Sequence, residues 1–239
     1  MRPIGFSTGA LAYADFRKAL DLLNGTAIDV VELSALREGE LGPLISAIDG
    51  LDLSQFKYIS IHAPSRFHVE NEREIVSSLL PLAGRGWPVV VHPDAIHEPG
   101  LWRSLGEMLC IENMDTRKPV GRSAEELSAV FELFPEASFC CDIGHARQFD
   151  STMTEAYLLL TQFQKRLVQV HVSEVNTNGR HDALSYTSIH AFREVAHLIP
   201  VEVPMILETP IRPGELLAEM DRVREALPAG ASAGGSARR

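Results

Sequence analysis

The sequence predicts an α/β protein folded as a single (β/α)8 TIM barrel, and three observations carry that prediction. Short apolar runs of strand length recur along the whole chain. Segments with apolar residues at helical spacing separate them, and strict alternation of the two implies a parallel sheet. Seven of the runs end on a carboxylate or an imidazole: Val30-Val31-Glu32, Ile59-Ser60-Ile61-His62, Val89-Val90-Val91-His92, Leu109-Cys110-Ile111-Glu112, Phe139-Cys140-Cys141-Asp142, Val168-Gln169-Val170-His171 and Met205-Ile206-Leu207-Glu208. Polar groups at the C-terminal ends of many parallel strands are what a barrel with its active site on that face requires.

In chain order, strands are expected at Ile4–Thr8, Ala27–Leu33, Tyr58–His62, Val89–His92, Met108–Glu112, Ser138–Asp142, Leu167–His171 and Met205–Glu208. Between them, Tyr13–Leu23 carries Phe16, Ala19, Leu20 and Leu23 at helical spacing, and Glu70–Leu80 carries Ile75, Val76, Leu79 and Leu80. Arg37-Glu38-Gly39-Glu40 reads as a solvated helix start. Ser123, with Glu126 three residues later, predicts a capping box at the head of a helix that buries Leu127, Val130, Phe131 and Phe134. Met153–Phe163 and Ser188–Leu198 follow, and Pro213 stands in the first turn of the last helix. Eight strands predict closure. An open doubly wound sheet would carry a glycine-rich phosphate loop after its first strand, and Ser7-Thr8-Gly9-Ala10-Leu11 lacks that spacing. The barrel is expected over residues 1–227, with the Ala-, Gly- and Ser-rich residues 228–239 as a flexible tail.

Composition bounds the function. The chain of 239 residues is 45% hydrophobic, enough for one large core, and its formal charge of −10 argues against a general grip on nucleic acid. Cys110, Cys140 and Cys141 all lie inside apolar runs, which reads as buried thiols in a reducing compartment. With no signal peptide or membrane-length apolar stretch, the cytoplasm is the expected location. Ser-His-Asp, P-loop and zinc-finger patterns are absent.

A single His or Glu at a strand end is more often a hydrogen-bonded structural residue than a ligand. Several converging at one barrel mouth are costly unless a common cation balances them. Mixed carboxylate and imidazole donors suit Mn, Zn, Co or Fe better than Ca or Mg.

The succession Ile61-His62-Ala63-Pro64, Val91-His92-Pro93, Ile111-Glu112-Asn113, Asp142-Ile143-Gly144-His145, Val170-His171-Val172-Ser173-Glu174 and Leu207-Glu208-Thr209-Pro210 resembles the xylose isomerase-like barrel superfamily. That group holds sugar phosphate isomerases and epimerases together with apurinic endonuclease IV, and the resemblance runs from about Ile4 to Leu227. On the isomerase side it implies one divalent metal ion held by Glu112, Asp142, His171 and Glu208. The two glutamates would be the acid–base pair for isomerising or epimerising a sugar or sugar-like hydroxy-carbonyl compound through an enediolate. Glu32, His145, Glu174 and Arg180 would then bind substrate. On the endonuclease side it implies a phosphoester hydrolase with two or three metal ions, adding His62 and His92 at one and His145 and His181 at another. That family has an aspartate two residues before the histidine aligned with His181, where this chain has Gly179; Asp182 is the available substitute.

The isomerase is the leading expectation. The hydrolase is the alternative, followed by a metal- or sugar-binding barrel without turnover. Compact loops favour a small-molecule substrate over nucleic acid, and Arg66-Phe67 reads as a lid over a small pocket rather than a wedge for a duplex. No membrane partner is expected, and a homodimer is compatible with the sequence.

Overall fold

Eight parallel strands hydrogen-bond into a closed ring. The computed structural model describes residues 2–13 and 15–230, so most of the expected tail, residues 231–239, lies outside the described residues. In chain order the strands are β1 (Ile4–Ser7), β2 (Val30–Ser34), β3 (Tyr58–His62), β4 (Val89–Val91), β5 (Leu109–Glu112), β6 (Ser138–Asp142), β7 (Leu167–Val172), the short pair β8 (Glu174–Val175) and β9 (His181–Asp182), and β10 (Met205–Leu207). The barrel runs β1-β10-β7-β6-β5-β4-β3-β2 and closes on itself, while β8 and β9 form a separate antiparallel hairpin. The helices are α1 (Thr8–Ala12), α2 (Phe16–Leu23), α3 (Glu38–Ala47), α4 (Glu72–Ala83), α5 (Pro99–Trp102), α6 (Ala124–Leu133), α7 (Ile143–Phe149), α8 (Thr154–Gln162), α9 (Tyr186–Val195) and α10 (Leu216–Ala226).

The barrel strands are buried on both faces over most of their length, which is why the runs read as continuously apolar rather than alternating. β2, β5 and β6 have every residue buried. Side chains on the outer faces meet the helices, and Phe6, Phe139, Phe192 and Trp102 are fully buried among them. Burying one such side chain is worth roughly 1.5–3 kcal/mol. All three cysteines are free and buried. No helix among the described residues is long and apolar enough to cross a membrane.

The differences from expectation are local. β2 begins at Val30, not Ala27, and α1 takes Thr8 from the first expected strand. The capping box at α6 is half made: Ser123 accepts the Glu126 N–H at 3.2 Å. The Glu126 carboxylate instead takes the Arg122 guanidinium and Arg122 N–H, because a charged partner outcompetes a backbone amide. Phe67 is no lid. Its ring packs edge-on against His97 at 5.9 Å and against the core, where burial holds it.

Candidate metal centre

The strand ends deliver the site, and backbone devices hold it. In the β6–β7 register Asp142 sits opposite His171. Asn113, the residue after β5, imitates a strand partner: its Oδ1 accepts the Asp142 N–H and its Nδ2 donates to the Asp142 carbonyl, both at 2.8 Å. That clamp fixes Glu112 beside Asp142. Asp142 also caps α7, its Oδ1 accepting the His145 N–H at 2.7 Å. Position 144 must be glycine, because a Cβ there would collide with the Ser173 carbonyl oxygen.

Glu112 is the centre of the arrangement. Its Oε2 lies 3.3 Å from His62 Nε2 and 3.3 Å from His92 Nε2. Its Oε1 lies 3.3 Å from His171 Nδ1 and 3.4 Å from His145 Nδ1. Glu208 Oε2 is 3.5 Å from the same His171 Nδ1. Two groups therefore have ligand atoms close enough to share an ion: His62, His92 and Glu112, and Glu112, Asp142, His171 and Glu208. Glu112 belongs to both.

The donor atoms fit a metal. His171 Nε2 lies 2.9 Å from Glu32 Oε2, so its N–H is donated there, and Nδ1, beside two carboxylates, is the atom that would give up its proton to bind an ion. A carboxylate behind a ligating imidazole is the arrangement that fixes the tautomer for metal binding. His62 Nδ1 donates to the Ala63 carbonyl at 2.9 Å, which leaves Nε2, facing Glu112, as the atom that would bind an ion. His171 Nδ1, Asp142 Oδ2 and Glu112 Oε2 are buried without a hydrogen-bond partner. Orphaned polar atoms are costly singly, and here they converge on one cluster.

Charge tells the same story. Burial pushes His171 down, but the anionic groups around it, Glu208, Glu32 and Glu112 among them, outweigh that and raise it well above the ordinary histidine range. Burial likewise opposes protonation of His62, yet Glu112 and Glu32 carry it up to about 9. Burial, with Glu208 and Glu112 nearby, lifts Asp142 to about 6. Glu112 is driven well below the carboxylate range, because His171 and His92 outweigh the cost of its burial. Protons on the histidines thus do the balancing that a divalent cation would do.

The cavity over this cluster has a volume of about 690 Å³, and His62, His92, Glu112, His145, His181 and Glu208 line it. Among the other expected substrate contacts, Glu32 is fully buried outside that lining and supports His171. Glu174 also lies outside it, accepting from Ser185 N–H and Ser188 Oγ. Arg180 does line the cavity and makes no ion pair among the described residues. Asp182 faces Asn176, which donates to its Oδ2 at 2.7 Å, rather than joining His145 and His181. Sequence reasoning missed Asn113, Asp115, Arg117 and the hairpin that carries His181. The short string Glu112-Asn113-Met114-Asp115-Thr116-Arg117 after β5 was the available signal.

No family model matches the chain, and no curated protein matches it. Among solved structures it is similar to a xylose isomerase domain protein from Alicyclobacillus acidocaldarius subsp. acidocaldarius, with TM-score 0.62, 18% identity, and 94% of this chain and 96% of that one covered. It is similar to the crystal structure of AsfvAP:AG, with TM-score 0.59, 13% identity, and 95% and 99% covered. It is also similar to SacUVDE, with TM-score 0.56, 14% identity, and 93% and 100% covered. These likenesses are of fold: the chain shares its closed (β/α)8 barrel with these proteins.

Proposed function

We propose that this chain is a multinuclear metal-dependent hydrolase acting on a phosphate ester of a small molecule, with endonuclease IV-type chemistry. The observation that carries this is Glu112, whose two carboxylate oxygens address two separate ligand groups, so that His62 and His92 have a role that a one-ion isomerase does not give them. His62, His92 and Glu112 would hold one divalent ion, and Glu112, Asp142, His171 and Glu208 a second. Such a pair supplies an activated water and a clamp on the phosphate oxygens.

The chain's own residues do the rest. Glu32 fixes the His171 tautomer. Burial and the neighbouring Glu112 and Glu32 raise the Glu208 carboxyl, against the pull of His171, a charge excess that a bound cation would relieve. Arg180, exposed in the cavity lining and without an ion pair among the described residues, is a cation available to an anionic substrate. The compact cavity favours a small substrate over a duplex.

The test is hydrolysis of p-nitrophenyl phosphate and bis(p-nitrophenyl) phosphate by the protein loaded with Mn or Zn, alongside incision of an abasic-site oligonucleotide. Release of nitrophenol, lost by a factor on the order of 100 in Glu112→Gln, is expected. A second reading, sugar isomerisation or epimerisation, is favoured by one observation: Glu112, Asp142, His171 and Glu208 form a ligand set sufficient for one ion, with two glutamates in it. Proton exchange of a ketose in heavy water, with no phosphoester cleavage, would establish that reading instead.

A further inference from the structure

The third ion of the endonuclease pattern needs His145, His181 and a carboxylate at position 179. This chain has Gly179 there, in the left-handed region at φ +64°, and the space a side chain would take is filled: a Cβ would collide with the Arg117 guanidinium. Arg117 is held firmly. Its Nε donates to Asp115 Oδ1 at 3.0 Å, its Nη2 to Asp115 Oδ2 at 2.5 Å and its Nη1 to the Asn178 carbonyl at 3.0 Å. Asp115 is itself buried, and His145 Nε2 lies 3.9 Å from its Oδ2. His145 Nδ1 is engaged by the Asn113 carbonyl, and His181 Nδ1 by Ser173 Oγ. Among the described residues these two histidines find no third ligand.

We propose, resting on the multinuclear reading, that the Arg117 guanidinium stands in the place of a third metal ion. The site then takes its ions only at the Glu112 groups, and Arg117 holds an oxyanion of the substrate beside them. The fork has five N–H donors. Three are spent on Asp115 and Asn178, and two are left on a side chain that lines the same cavity as Asp115, Arg180 and His181. A planar, permanently charged donor anchored on a buried carboxylate is suited to a phosphate or carboxylate oxygen, and unlike a metal it cannot be chelated away.

Two measurements test this. The first is zinc stoichiometry of the full-length chain after stripping, by dialysis and elemental mass spectrometry, for the wild type and for Arg117→Ala/Gly179→Asp, which clears the space and restores the carboxylate. Aspartate tolerates the left-handed conformation better than most residues. A gain of one equivalent in the double variant is expected; three equivalents in the wild type, or no gain, would overturn the proposal. The starting count bears on the other reading: one equivalent in the wild type tells against the two-ion hydrolase, while the gain still decides Arg117.

The second is titration of inorganic phosphate into metal-loaded wild type and Arg117→Ala. Phosphate affinity about tenfold or more weaker at unchanged metal content is expected. Unchanged affinity removes Arg117 from anion binding and overturns that half of the proposal.

Discussion

Glu112 has the most to lose by substitution. It is 1% exposed, and His62, His92, His145 and His171 all lie within 3.4 Å of its two oxygens. Removing its charge leaves four imidazoles around a neutral amide. Glu112→Gln is expected to lose both ions, seen as a metal content falling towards zero. Glu32 acts one step further back. Glu32→Gln keeps the volume but weakens the hold on the His171 tautomer, so metal affinity should drop by about 10–100-fold. A competition titration with a chromogenic chelator reads this directly; unchanged affinity would mean that Glu32 serves only the barrel interior, where Ser60 and Gln169 also donate to it.

At the scale of elements, buried charges tie distant segments together. Arg2 reaches from the start of β1 to the chain after α9, donating to the carbonyls of Ala196, Ile199 and Pro200. Glu72, at the head of α4, accepts the His97 and Glu98 N–H groups and the Trp102 indole N–H at 2.7 Å. Trp102→Phe deletes that last donor in a fully buried setting, and a loss of about 1.5–3 kcal/mol is expected from chemical denaturation. Gly144→Ala forces a methyl against the Ser173 carbonyl at the β6–α7 turn. It should cost stability and metal affinity together, because the same turn aims Asp142 and His145.

Over the whole molecule, proton and metal compete for the same charge deficit. In the metal-free protein His62 is held up at about 9 and His145, where Asp142 and Glu112 overcome burial, at about 10. Folded groups with raised values bind their protons more tightly than the unfolded chain does. Their stabilisation is complete below the unfolded value and is lost as pH climbs through the folded one. His92 and His181 are lowered, so they have already changed over by neutral pH. The melting temperature of the chelator-treated protein is therefore expected to fall as pH rises from the unfolded value of 6.5 up to about 10. Adding Mn or Zn should restore it increasingly well over that range, since ligation displaces the protons. A flat profile for the metal-free protein would mean that the histidines are neutral and the carboxylates protonated instead.

The barrel could be read from the chain because its determinants are local and repeated. A strand buried on both faces writes itself as an apolar run, eight such runs in alternation with helices leave little choice but closure, and the ligand types fall at the last residue of the run or the one after. The strand-end pattern singled out His62, Glu112, Asp142 and His171 as candidates, and closure brings their ligand atoms together. The parts that could not be read are those set by contacts between distant segments or by polar turns with no period. β8 and β9 are two residues each and held by pairing across Asn176 and Gly179, so no periodicity announced where His181 would sit. That Glu32 lies under His171 rather than in the cavity depends on which way β2 faces across the barrel, from a residue 139 positions away. That Glu112 is shared between two groups, and that Arg117 fills the space beside Gly179, depends on side-chain positions brought together only when the barrel closes. Local patterning settles which elements form, because burial and backbone geometry act along the chain; closure settles which atoms meet, because it alone brings the strand ends to one point.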